Sequence, residues 1–389
     1  MEKKSIAVFI RGFHNGGIEK VFENYFSHMD LSQYSVHMVT HMQNDPARKK
    51  VFTDMGCVVH ELSPLHGHKL TLQNIREYKA LFQNNRFDIV HNNMPDNLLP
   101  FLFASGEART KPYRILHAHS KYTDGFKHAG AIKKTLYRMG FERNAGKADL
   151  LLAISRESAA AAFFSFAEKA EILPNAIDIP RFTFRQETRE RIRRQLGGEN
   201  RYILGHVGRI ESNIKNHRFL IDVIDTLRET DAELFDRTLV LLIGEGEKKS
   251  EFEEYAREKG LAEKIRFLGA QDKVQEYLMA MDLFLFPSRQ EGLGIAAIEA
   301  QATGLPCLIS DHVPGEVRMT EDVEFLDIDG PSAKEEWARR IAEQYAKRAG
   351  GDREAAAAAV GEKGYNIEEQ AERLACIYRN GACRAFHIR

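Results

Sequence analysis

The sequence predicts an α/β protein of two doubly wound domains in tandem. Three observations predict it. Short apolar runs alternate with amphipathic segments along the whole chain. Several runs are rich in Val, Ile and Leu without polar alternation, as parallel strands covered on both faces are. The alternation restarts after a proline-marked break near residue 174. A chain of 389 residues exceeds one ordinary core, and a hydrophobic content of 43% can supply two.

In the first half, strands are expected at 6–11, 36–40, 58–62, 89–92, 114–117, 150–155 and 171–173. The clearest helix between them carries Ile18, Val21, Phe22, Tyr25, Phe26 and Met29 on one face. The break runs Pro174-Asn175-Ala176-Ile177-Asp178-Ile179-Pro180 and continues as an Arg-rich polar stretch to Gly197-Gly198. Its prolines and glycines predict a linker. Strands follow at 202–207, 239–243, 265–268, 283–286 and 307–309, each with a helical pattern after it. The alanine run at 355–359 suits a surface helix. The expected domains are 1–178 and 179–366 with a substrate cleft between them, and a C-terminal segment, 367–389, packing back on the first domain.

A net charge of −1 gives no footprint of nucleic-acid binding, yet residues 1–180 hold 11 of the 15 histidines. That half has a basic excess and the remainder an acidic one, so the domains should meet different partners. Cys57, Cys307, Cys376 and Cys383 show neither metal-ligand spacing nor a disulfide framework, and the neighbouring Cys376 and Cys383 read as a pair of free thiols rather than a bridge. No apolar run approaches about 20 residues. The expectation is a cytoplasmic protein whose membrane contact, if any, is peripheral.

The most informative stretch is Phe286-Pro287-Ser288-Arg289-Gln290-Glu291-Gly292-Leu293-Gly294-Ile295, continuing to Glu299-Ala300. A buried strand ends at Pro287, a glycine turn follows, and a helix rich in small residues starts near Gly294. Glycines let backbone approach a ligand closely, and the helix N-terminus offers free N–H groups to an anion. Glu291 precedes the helix, with Glu299 expected about two turns into it. A solvated helix face would give the same two acids. The strand–EGxG–helix context, however, resembles the retaining glycosyltransferases of GT-B fold (glycosyl transferases group 1, family 4). Their signature is two glutamates separated by seven residues, here EGLGIAAIE. The resemblance implies that Glu291 meets hydroxyls of the donor sugar and Glu299 the ribose of its nucleotide.

Gly205-His206-Val207-Gly208-Arg209 ends the first strand of the second domain, and Lys215-Asn216 follows six residues on. Arg suits bidentate contact with an oxyanion and Lys a point charge; an exposed basic loop is the plain alternative. The family likeness assigns Arg209 and Lys215 to the donor pyrophosphate. Leu173-Pro174-Asn175 with Ile177-Asp178 is similar to the interdomain PNG-x-D segment, with Ala176 in place of the usual glycine. Gly244-Glu245-Gly246 resembles the turn after the second strand, and Phe267-Leu268-Gly269 the segment whose backbone meets the base. Donor contacts are thus implied for Asn175, Gly208, Gly269, Gly292, Leu293, Gly294 and Glu299.

In the first domain, Gly12-Phe13-His14-Asn15-Gly16-Gly17-Ile18-Glu19 is not a dinucleotide fingerprint. The resemblance places the backbone of Gly16 and Gly17 near the donor phosphate; a tight strand-to-helix turn is the alternative. Leu116-His117-Ala118-His119-Ser120 ends another strand, putting two histidines on one side at its C-terminal edge. The family has a histidine near the reacting sugar; His119 is the first choice and His117 the second. No third ligand is evident for a metal. Residues 109–147 carry 10 Lys and Arg against Asp124 and Glu142. The segment 132–141 mixes basic and large apolar residues at helical spacing, which suits either an anionic membrane surface or a solvated basic face.

HNGGIEKV, ILHAHS and EAQATGLPCLISD bring the likeness nearest to transferases of exopolysaccharide or capsule assembly. The expected reaction moves a hexosyl unit from a UDP-sugar to a glycan or polyprenyl-diphosphate-linked acceptor, with retention and without a metal cofactor. A nucleotide-sugar 2-epimerase, a non-catalytic sugar-nucleotide-binding subunit and, more remotely, a Rossmann oxidoreductase are the rivals.

Overall fold

In the computed structural model the chain divides into two compact units, Met1–Ala176 with Ile367–Arg389, and Ile177–Asn366. The structure describes residues 3–13, 17–42, 44–64, 71–106, 111–119, 130–211, 213–347 and 353–381. Gly16, Ser120, Asp124 and Cys383 lie outside them, as do the side chains of 131–133.

The first unit carries seven strands: β1 (Lys4–Phe9), β2 (Tyr34–Thr40), β3 (Val58–Glu61), β4 (Ile89–Asn92), β5 (Tyr113–Ala118), β6 (Leu150–Ala153) and β7 (Glu171–Ile172). They pair in the order β3-β2-β1-β4-β5-β6-β7, all parallel. Strand order reverses at β1 and β4, the switch point where open α/β sheets open a crevice at their carboxyl ends. Both faces are covered, which explains the uninterrupted apolar runs. On one face Ile6, Val8, Ile89, Ile115 and Leu152 pack with Phe22, Tyr25 and Phe26 of helix Gly17–Ser27. Ala7, Phe9, Val90, Leu116 and Leu151 face the other side, with Tyr78, Phe82 and Phe101. Met29 lies just beyond the helix whose face it was expected to extend, packed against the same core.

Helix Ile367–Asn380 belongs to this unit's core through Ile367, Ala371, Leu374, Ile377 and Tyr378. Arg373 donates to Ile172 O, and Tyr34 Oη donates to Ala375 O at 3.2 Å.

The second unit carries β8 (Tyr202–Val207), β9 (Thr238–Ile243), β10 (Ile265–Gly269), β11 (Leu283–Phe286), β12 (Cys307–Ser310) and β13 (Val323–Leu326). The order is β10-β9-β8-β11-β12-β13, again all parallel, with the switch point between β8 and β11. β13 has no counterpart among the expected strands. It is a short edge strand whose two central residues are only half-buried.

The Arg-rich stretch expected to be a linker is helical instead, as Gln186–Gln195. Two of its arginines are structural. Arg189 donates to the carbonyls of Met279, Ala280 and Met281, and Arg193 to Ala280 O and Asp282 Oδ2. They satisfy the orphan carbonyls at the end of helix Val274–Ala280. Desolvation raises the carboxyl of Asp282, but Arg189 and Arg193 outweigh it and hold the group below its ordinary range. The alanine run forms helix Ala355–Val360, with Ala357 and Val360 buried rather than all on the surface.

Candidate functional site

The loops at the carboxyl ends of β8, β9 and β11 build the second unit's site, because parallel strands deliver every strand-to-helix loop to one edge. The backbone ladder continues past the strands. Gly208 N donates to Ile243 O at 2.9 Å, Ile210 N to Glu245 O at 2.9 Å, and Gly244 N to Gly269 O at 2.9 Å. This contact requires glycine at 244, where a Cβ would stand 2.0 Å from Gly208 O. Gly269 has φ +70°, and its own Cβ would meet Glu245 Oε1 at 2.4 Å.

Lys215 Nζ lies 2.6 Å from Glu291 Oε1, with side-chain exposures of 22% and 12%. The ammonium also stands 5.1 Å from the centre of the Phe286 ring. Arg289 N donates to Ile214 O at 2.7 Å, joining the loop after β11 to the loop that carries Lys215. Helix Ile295–Ala302 starts at Gly294, which holds the left-handed conformation at φ +92°. As a glycine it brings no side-chain cap to that end. Glu299 is the fifth helical residue, so it sits little more than one turn in rather than two. Arg209 is exposed and pairs with Glu211 at 3.1 Å.

Beneath these groups lie buried polar atoms. His206 Nδ1 donates to Leu285 O at 2.8 Å, while its Nε2, both ring nitrogens of His217, Nδ2 of Asn216 and Oγ of Ser288 have no partner among the described residues. Burial drives His217 down to about 4, helped by Lys215, and holds His206 well below the usual imidazole range. Both rings are therefore neutral at pH 7.

In the first unit, β4 and β5 bring three histidines together. His91 Nδ1 is 2.8 Å from Tyr378 Oη, and its Nε2 is 3.2 Å from His117 Nδ1. His119 Nε2 lies 2.7 Å from Asn93 Oδ1. The rings of His117 and His119 are 4.0 Å apart, so the two do share a side. His117 is 1% exposed and committed to His91, whereas His119 stands half-buried at the strand's end. Desolvation depresses all three, His91 and His119 to about 3. No group of three or more His, Cys, Asp or Glu suited to a metal ion occurs among the described residues.

Two family models match. Glycosyltransferase Family 4 covers residues 15–181, and Glycosyl transferases group 1 covers residues 188–366. EpsF of Bacillus subtilis (strain 168), which bears the name of a glycosyltransferase, is 29% identical over 81% of each chain. The chain belongs to the GT-B glycosyltransferases. An Escherichia coli UDP-Gal:α-D-GlcNAc-diphosphoundecaprenol α-1,3-galactosyltransferase is 28% identical over 37% of each chain. Anabaena Alr3699/HepE, solved with UDP, superposes with a TM-score of 0.75 at 16% identity, covering 96% of this chain and 98% of that one. WaaG, from lipopolysaccharide biosynthesis, gives 0.69 at 21% identity, covering 97% of this chain and all of that one.

Within this glycosyltransferase the sequence-expected residues fall into three groups. Gly208, Lys215, Glu291, Gly292, Leu293, Gly294 and Glu299 lie on loops or a helix at the carboxyl edge of the second sheet, and Gly269 ends β10 at the same edge. Arg209 shares that edge but turns to Glu211 rather than to Lys215. Asn175, Gly17 and His119 belong to the first unit. Oδ1 of Asn175 is buried without a partner among the described residues. Ala176, where the family has glycine, is buried and has no positive φ, so the turn accommodates a side chain. At Gly17 a Cβ would meet nothing within 4 Å, so packing does not require the second glycine of the pair. His91, Asn93, His206, His217 and Ser288 were not singled out. For all but His217, which opens helix His217–Thr230, the signal is a polar residue on or just after an otherwise apolar strand, where a core rarely keeps one without a partner.

Proposed function

We propose that this glycosyltransferase moves a hexosyl unit from a UDP-sugar to a polyprenyl-diphosphate-linked sugar, with retention at the anomeric carbon, in cell-surface polysaccharide assembly. The observation that carries the donor half is the Lys215–Glu291 pair beside the Gly294-started helix, at the switch point of the second sheet. Lys215 and Arg209 supply two cations and the helix start supplies free N–H groups for a diphosphate leaving group. Glu291 then takes sugar hydroxyls, Glu299 the ribose, and His119 the reacting sugar. The chemistry is positional and electrostatic, and the departing phosphate oxygen accepts the acceptor's proton on the face that the donor leaves. Relatives named for UDP-galactose and diphospho-undecaprenol substrates, and neighbours solved with UDP, support the substrate classes.

For the acceptor half, helix Ala131–Ala145 leaves Leu136 and Met139 at 64% and 60% exposure among Lys134, Arg138 and Arg143. Such a face suits peripheral contact with an anionic membrane on the cytoplasmic side. No helix among the described residues is long and apolar enough to cross a membrane.

Incubating the protein with a panel of UDP-, GDP- and ADP-sugars and a prenyl-diphosphate-linked acceptor tests the reading. The expected result is transfer from a UDP-hexose, with NMR showing the product's anomeric configuration equal to the donor's, and undiminished in EDTA. Inversion would overturn the mechanism, and loss in EDTA the metal-free charge balance. Turnover of donor without acceptor would favour an epimerase.

A further inference from the structure

We propose that Asn93 is a positioning residue that holds His119 in its Nε2–H tautomer, so that Nδ1 is presented as a hydrogen-bond acceptor to a sugar hydroxyl. The inference rests on the proposed function, in which His119 meets the sugar. It begins from the orientation of one amide. Asn93 Nδ2 lies 3.2 Å from Phe9 O and 3.4 Å from His91 O, two groups that only accept. That end of the side chain must therefore be the NH2. Asn93 N also donates to Phe9 O at 3.0 Å, so backbone and side chain are both tied to β1 and β4 at the switch point of the first sheet.

Oδ1 then faces His119 Nε2 at 2.7 Å. A carbonyl oxygen at that distance needs a hydrogen on the ring nitrogen. Among the described residues, the groups facing His119 are the rings of His117 and Phe22, at 4.0 and 6.3 Å between centroids, and Asn93. His91 lies behind His117. No carboxylate among them stabilises an imidazolium, and burial alone holds His119 down to about 3. With Nε2 protonated and the ring neutral, Nδ1 keeps its lone pair. That atom is buried and has no partner among the described residues. An unmet buried acceptor is costly, and a ligand hydroxyl removes the cost. A phosphate or carboxylate oxygen cannot, since it brings a second acceptor. His117 also leaves one ring nitrogen, Nε2, without a partner among the described residues, but it is 1% exposed, whereas His119 stands half-buried at the strand's end.

The test compares UDP-glucose with UDP by titration calorimetry, so that the ratio of affinities isolates the sugar. In His119→Asn the amide oxygen can occupy the place of Nδ1. In His119→Gln the amide nitrogen can occupy the place of Nε2 and satisfy Asn93, with nothing left at Nδ1. The expected result is a ratio preserved in His119→Asn and lowered about three- to tenfold in His119→Gln. Asn93→Asp puts a carboxylate on the Nε2–H and raises the imidazole into titrating range. Its ratio should match wild type at about pH 8 and decline toward about pH 5.5, while wild type stays flat. The reverse order of the two His119 variants would overturn the proposal, and so would a flat profile in a folded Asn93→Asp. The His119 pair decides alone if Asn93→Asp does not fold. An unchanged ratio in His119→Ala strikes instead at the placing of His119 beside the sugar, and absence of UDP binding at the donor reading itself.

Discussion

Gly244→Ala tests the second unit's site at its tightest contact. The new Cβ would stand 2.0 Å from Gly208 O, 2.9 Å from its carbonyl carbon and 3.5 Å from Arg209 N. Carbon and oxygen ordinarily approach to about 3.3 Å, so the Gly208 carbonyl must retreat by about 1 Å. It is not free to do so. Gly208 N is bonded to Ile243 O and Ile210 N to Glu245 O, and the stem of Lys215 lies 3.1 Å from where a Cβ on Gly208 itself would be. Overpacking of this kind costs about 1–3 kcal/mol. If the loop yields, Arg209 and Lys215 move together and UDP affinity falls about 5- to 150-fold. If the cost falls on the fold instead, Tm drops about 2–4 °C for each kcal/mol. Calorimetric titration with UDP and a thermal scan separate the two. Gly315→Ala is the control, since a Cβ there meets nothing within 4 Å. Wild-type UDP affinity together with wild-type Tm in Gly244→Ala would refute the claim that the two glycine loops interlock to shape the donor site.

Glu291→Ala should lower transfer by about tenfold or more, and Glu299→Ala should weaken UDP itself by a similar factor. Steady-state kinetics and UDP titration check these, and wild-type behaviour in both would remove the site assignment. The thermal midpoint should fall as pH is lowered from 7 toward 5. His37, His41 and His217 are pushed to about 4, and His91 and His119 to about 3, all by burial. In that window the unfolded chain binds protons that the folded chain does not, so stability is lost as pH drops through the unfolded value near 6.5. Each deeply buried ring contributes up to about 1.4 kcal/mol per pH unit, and a midpoint flat with pH would contradict their burial. Leu136→Glu with Lys134→Glu should abolish flotation with anionic liposomes and leave UDP affinity unchanged; unaltered flotation would rule out this helix as the membrane contact.

Much of the architecture is visible in the sequence because parallel strands buried on both faces leave continuous apolar runs. The runs ending at Asn92, Val207 and Phe286 terminate where β4, β8 and β11 do. β13 escapes because Val323–Leu326 is short and interrupted by Glu324, as an edge strand permits. The helix at 186–195 reads as a linker because a buried guanidinium looks solvated in sequence. Arg189 and Arg193 find their carbonyls some 90 positions away. The same remoteness limits the reading of the site. Strand ends followed by glycine show where ligand-facing loops begin, so Gly208, Gly294 and the two glutamates are legible. That Lys215 pairs with Glu291, 76 residues on, is not. Asn93 was equally hidden, although HNN at the end of an apolar strand is a local anomaly that burial arguments could have raised.

The Lys215–Glu291 pair also bears on how the two glutamates divide their work. A carboxylate 2.6 Å from an ammonium, both largely withdrawn from water, is poorly placed to serve as a nucleophile or a proton acceptor. Its negative charge is spent on Lys215 until another anion competes for that cation. On the proposed function the competitor is the donor diphosphate. Its arrival draws the ammonium toward phosphate oxygens, and Glu291 then has lone pairs to offer the hydroxyls of the sugar that entered with it. Either charge alone would be costly to keep half-buried; paired, each stabilises the other while the site is empty. Glu299 stands in a different position, one turn into a helix that starts at Gly294. On the proposed function the two acids act on different parts of one ligand, and their spacing reflects the length of a loop plus one helical turn rather than the separation that an acid–base couple would need.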